Sequence, residues 1–75
     1  MDYTMIENKV KAFVLEELED AKKHPKIAHN CMTIAYGALQ FATNNLFPAY
    51  NNDLVSWWQN EIWIEFTAIK ENEND

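Results

Sequence analysis

Residues 27–47 read "IAHNCMTIAYGALQFATNNLF", and this stretch repeats its pattern every seven positions. Ile27, Ile34 and Phe41 fall in one column, and Ala28, Ala35 and Ala42 in the next. Cys31 and Ala38 align in a third column, which Asn45 closes, and Met32, Leu39 and Leu46 form a fourth. The polar columns hold His29, Tyr36 and Thr43, then Asn30, Gly37 and Asn44. Seven residues return a helix to nearly the same side, so apolar columns three and four apart make a packing seam. The spacing predicts a central core helix whose alanines and cysteine let a second helix approach closely. Three heptads are too few to demand a long coiled coil. Gly37, on the polar side, costs about 1 kcal/mol relative to alanine.

The punctuation around this segment points to two more helices. The 75 residues include one glycine and two prolines, too few for a protein of hairpins and tight turns, and Pro25 and Pro48 cut the chain into three comparable pieces. The first piece opens with "TMIE", in which Thr4 and Glu7 have capping-box spacing. At ~100° per residue Ile6, Val10, Phe13, Val14 and Ala21 share one face, with Leu18 at its edge. Glu16, Glu17, Glu19 and Asp20 precede Lys22, Lys23 and His24, an order that suits the negative end of a helix dipole. Pro25 then turns His24 away from helical geometry.

In the third piece Asn51, Asn52 and Asp53 compete as N-caps. Leu54, Val55, Trp58, Ile62, Phe66 and Ile69 gather within a sector of ~120°. "IWIEFTAI" also alternates like a strand through Ile62, Ile64 and Phe66, but no turn signal or partner strand accompanies it. The expectation is an all-α single domain, a three-helix bundle with helices near 4–23, 26–46 and 52–70 and a polar acidic tail at 71–75.

Three tryptophans fall within residues 57–63. Trp58 belongs to the core stripe. Trp57, Ile64 and Ala68 form a second stripe, Glu61 and Glu65 lie between the two, and Trp63 points away among Ser56, Gln59, Thr67 and Lys70. In a small domain large rings can wrap over an edge and stay half exposed. The alternative is a contact surface, because exposed apolar patches mark interfaces and tryptophan is enriched in their hot spots. The sequence therefore suggests a homodimer formed through the third helix, with Trp57, Ile64 and Trp63 as anchors and Glu61 and Glu65 at their edge.

Charge narrows the partner class. Twelve acids against six bases give −6, every base is a lysine, and arginine is absent. Phosphate and base-edge recognition lean on the guanidinium fork and a basic face, so nucleic-acid binding is not expected. Nine asparagines without arginine match the usage of AT-rich bacterial or phage genomes. "MDYTMIENKV" lacks the basic and apolar regions of a secretory signal, and no apolar run nears the ~20 residues that span a bilayer. With a single cysteine, a reducing cytoplasmic setting is expected.

The chemistry-bearing residues do not assemble into a site. Glu61 and Glu65 share a helix face, but neither is followed by the histidine at i+3 that metal-site helices add. In "HPKIAHNC", His29 and Cys31 project ~200° apart on a helix and cannot ligate together. Cys31 falls in the small-residue seam, where an inert thiol is expected. Ser56 is the only serine, and one glycine leaves no phosphate-cradling loop. The basic cluster "KKHPK" reads as a solvated helix terminus. No cofactor, metal or catalytic residue is expected.

The function expected is a non-enzymatic protein–protein interaction module, an adaptor, regulator or accessory subunit. The alternative is an acidic mimic of nucleic acid that blocks a DNA-handling enzyme, motivated by Glu16, Glu17, Glu19, Asp20 and the acids of the tail. A third class is a small apolar ligand held between helices near the alanine seam.

Overall fold

A computed structural model of the chain describes residues 3–49 and 51–73, with side chains described as far as Ile69. Helix α1 spans Thr4–Lys23, a 3-10 turn covers Pro25–Ile27, and α2 spans Ala28–Asn45. Helix α3 runs over 52–73 in three successive stretches: α-helical Asn52–Trp57, a π-helical turn Trp58–Ile62, and α-helical Trp63–Glu73. No strand occurs among the described residues, so the chain is a small all-α three-helix domain. None of the described helices is long and apolar enough to cross a membrane. The acids of the tail, Glu71, Glu73 and Asp75, lie outside the described side chains.

Helices α1 and α2 form an antiparallel hairpin, and small residues set their approach. Ala21, Ala28, Cys31, Ala35 and Ala42 are all buried, with Val14, Leu18 and Leu39 filling the space between. The seam is thus the alanine column and its neighbours, one column over from the centre of the sevenfold pattern. Ile27, Ile34 and Phe41 stand outside it, exposed by 43%, 52% and 60%. Periodicity placed these residues on the helix; it did not distinguish the face pressed on α1 from the flank beside it. On α1 the same split leaves Phe13 exposed by 39% while Val14 and Leu18 are buried.

The capping box is not formed. Helix α1 begins at Thr4 with Tyr3 in the cap position and no side-chain cap bond. Glu7 instead pairs with Lys11 at 3.7 Å and accepts a hydrogen bond from Asn51 Nδ2 at 3.1 Å. Asn51 wins the competition among the candidate caps of α3, since its Oδ1 accepts from the Leu54 amide at 2.9 Å. One side chain thereby caps α3 and ties it to α1.

The π-turn narrows a stripe that a regular helix would spread. Leu54, Trp58, Ile62 and Phe66 are all buried, each four residues from the next. A four-residue step overshoots a full α-helical turn by about 40°, so three such steps would smear the stripe over about 120°. A π-turn of about 4.4 residues makes the middle step fall short of a turn by about 30°, which brings the total drift down to about 50°. All four side chains then reach the hairpin. Trp58 and Phe66 lie at 5.8 Å between ring centroids, and Tyr36 of α2 meets Trp58 at 5.3 Å.

Gly37 is helical, has a negative φ, and has open space where a Cβ would project. Gly37→Ala should therefore raise stability by about 1 kcal/mol, read as a higher urea midpoint at unchanged slope.

Candidate functional site

A cleft of ≈ 550 Å³ opens between α2 and α3, lined by Met32, Thr33, Tyr36, Trp58, Gln59 and Trp63. Its wall on α3 is the π-turn and the residue after it. Trp58 is buried and fixed by Phe66 and Tyr36, while Trp63 remains 49% exposed at the rim. The volume lies within the usual range for sites that take a small molecule or an anchoring side chain. The lining is mainly apolar and carries no formal charge. Its polar atoms are the Thr33 hydroxyl, which donates to the His29 carbonyl at 2.9 Å, the Tyr36 phenol, which accepts from Gln40 Nε2 at 2.8 Å, and the Gln59 amide.

The anchors expected on α3 divide between its two flanks. Trp57 is half-buried on the α1 side, with the Lys11 ammonium 5.4 Å from its ring centroid, an arrangement worth about 0.5–1 kcal/mol where partly exposed. Trp63 faces α2 and the cleft. Ile64 is exposed by 55%. Glu65 reaches Lys22 Nζ at 3.2 Å and ties α3 to the end of α1, while Glu61 is exposed. The Glu65 hydrogen bond is the main reason the Lys22 ammonium is held above its ordinary pKa of 10.5. With the folded value raised, the Lys22 contribution is intact at neutral pH and is lost as pH rises through the lysine range.

Of the residues lining the cleft, Trp58 and Trp63 stand out in the sequence and the other four do not. Met32 reads as core and Tyr36 as a polar-column residue. An aromatic at the edge of the polar column, with a tryptophan-rich segment to follow, is the signal that marks the site.

The remaining chemistry-bearing groups lie apart. The described residues contain no cluster of three or more histidine, cysteine or acidic side chains suited to a metal ion. Cys31 is 4% exposed, and burial pushes its thiol above the usual range, reinforced by its hydrogen bond with Glu17 and the nearby Asp20 charge. A protonated thiol in the seam is a poor nucleophile. Native Cys31 should react with a disulfide reagent roughly 100-fold more slowly than in denaturant, because reaction waits on local opening; an equal rate would mean that the seam is open.

The acids split likewise. Glu19 pairs with Lys22 at 3.7 Å, Glu17 lies beside Cys31, and Glu16 and Asp20 are exposed. No family model, curated protein or solved structure matches this chain.

Proposed function

We propose that this chain is a non-enzymatic protein–protein interaction module that receives a helical segment of its partner across α3 and the α2–α3 cleft. The observation that carries this reading is Trp63, half exposed at the mouth of a ≈ 550 Å³ cleft whose floor is the immobilised Trp58 ring. A rigid aromatic beside a ready-made apolar socket is the composition of an interface hot spot, and it suits helix-in-groove recognition through one inserted side chain. Ile64, also exposed, extends the apolar surface along α3. The free, buried Cys31 is compatible with a reducing, cytoplasmic setting.

The test is selection of helical peptides from a displayed library on the wild-type chain, followed by affinity measurements on variants. Selected peptides should carry an apolar anchor and lose roughly 30-fold in affinity on Trp63→Ala, the scale of a 2 kcal/mol hot spot. Trp57→Ala, on the opposite flank, should change binding little. Affinity should hold between low and high salt. A collapse with salt would instead favour the acidic-mimic reading, whose contacts are screened by ions. Peptides that bind the Trp63→Ala chain equally well would end the assignment.

A further inference from the structure

Helix α3 covers only one of the two broad faces of the α1–α2 hairpin. The Tyr36–Trp58 ring pair, the Lys11–Trp57 contact, the Asn51–Glu7 hydrogen bond and the Lys22–Glu65 bridge all lie on that covered face. Measured from the buried seam residues Val14 and Ala35, Tyr36 projects ~100° forward, toward α3, while Phe13 and Ile34 project ~100° backward, away from it. Ile27 and Phe41 repeat the direction of Ile34 one heptad to either side. Phe13, Ile27, Ile34 and Phe41 are exposed by 39%, 43%, 52% and 60%, and half-buried Ile6, Val10 and Ala38 fill in between them. From Ile27, in the 3-10 turn, to Phe41 of α2 this second apolar face extends ~21 Å.

We propose that the uncovered face seats a second copy of the chain, about a twofold axis crossing the helices at the level of Phe13 and Ile34. Glu17 and Asp20 of α1 lie beside Cys31 of α2 across the seam, which places Phe13 and Ile34 at about the same level along the hairpin. With the axis there, α1 lies antiparallel over α1 of the second copy and α2 over α2. Ile34 meets Ile34, and each Ile27 meets a Phe41, so the column is its own complement. Four helices then share one core, and the two α3 helices, with their clefts, remain outside.

Charge selects this axis. Lys9 lies four residues before Phe13, and Glu16 and Glu17 lie three and four after it. The axis sets Lys9 of each copy against Glu16 and Glu17 of the other, and neither Lys9 nor Glu16 has an ion pair among the described residues. A twofold axis parallel to the helices would instead stack the two "KKHPK" turns, which repel.

The area also suits a pair of copies. At ~200 Å² per large side chain, the four exposed residues offer about 400 Å² per copy. A stable interface takes about 800 Å² per partner, roughly 65% of it apolar at the core, and Ile6, Val10, Ala38 and the Lys9 stem supply much of the rest.

Light scattering behind a sizing column should give twice the 8.8 kDa chain mass. The pair Ile34→Lys/Phe41→Lys should return it to one chain mass, with affinity at least 100-fold weaker and helicity by circular dichroism unchanged. Trp63→Ala should leave the dimer intact, so failure of the cleft reading and failure of this one are separable. A wild-type chain that stays monomeric to millimolar concentration overturns the proposal. So does a lysine pair that keeps the dimer mass, or a Trp63→Ala chain that loses it, which would move self-association to α3. The axis has its own test. In a Cys31→Ala background, Ile34→Cys should oxidise to a covalent dimer, and a dimer that never cross-links there has a different axis.

Discussion

Phe66→Ala should leave little folded protein at 37 °C. Phe66 is the largest fully buried side chain of the domain, at 0% exposure, and its ring rests against Trp58. Truncating a buried phenylalanine costs about 3–5 kcal/mol, through lost transfer free energy and the cavity left behind. A chain of this length has a total stability of only about 4–11 kcal/mol, so the loss removes about a quarter of it or more. The cost falls on one junction, since Leu54, Trp58, Ile62 and Phe66 hold α3 against the hairpin and a chain with one cysteine has no internal disulfide to reinforce them. A urea titration followed by circular dichroism should show the midpoint falling by about half. Trp63→Ala, measured beside it, should shift the midpoint by less than about 0.5 kcal/mol, as surface changes do. A Phe66→Ala chain as stable as the Trp63→Ala chain would mean that α3 docks by other contacts.

The contrast between these two residues shows what the sequence makes legible. A 3.6-residue wheel separates Phe66 from Trp63 and assigns Trp58 to the core, and the structure agrees at each position. The helices are readable for the same reason: their apolar columns are regular, and Pro25 and Pro48 mark the breaks. The depth of each column is not readable. Ile34 and Ala35 are adjacent in sequence and both apolar, yet one is 52% exposed and the other 0%, because close approach of α1 favours the smaller side chain. A hydrophobicity pattern ranks isoleucine above alanine and therefore names the wrong centre for the seam. The cleft is hidden for a related reason: it joins Met32, Thr33 and Tyr36 to residues more than 20 positions later, and only the α2–α3 packing brings them together. The π-turn, by contrast, leaves a trace in the sequence, three successive four-residue steps where a regular stripe would alternate threes and fours.

That trace leads to the second large effect, an asymmetry between removing a residue from α3 and adding one. Deleting Asn60 changes the spacing of Leu54, Trp58, Ile62 and Phe66 from 4-4-4 to 4-3-4. On a regular α-helix this pattern confines the four side chains to about 60°, so the π-turn is no longer needed and the core stripe survives with a shift of ~1.5 Å along the axis. The deleted chain should melt within a few degrees of wild type. Inserting one alanine after Asn60 has the opposite consequence. The middle step becomes five residues, and even through the π-turn it rotates Ile62 and Phe66 about 80° further from Leu54 and Trp58. Two buried side chains then leave the core, at about 2–5 kcal/mol each, enough to unfold the domain. Thermal melts of the two variants decide the matter, and equal destabilisation by both would refute the account of the turn as a phase correction. If the deletion folds well, its peptide affinity carries further information. The π-turn supplies Trp58 and Gln59 to the cleft wall, so a folded deletion variant that loses at least tenfold in binding would mean that the turn persists for the cleft, because the fold alone could dispense with it.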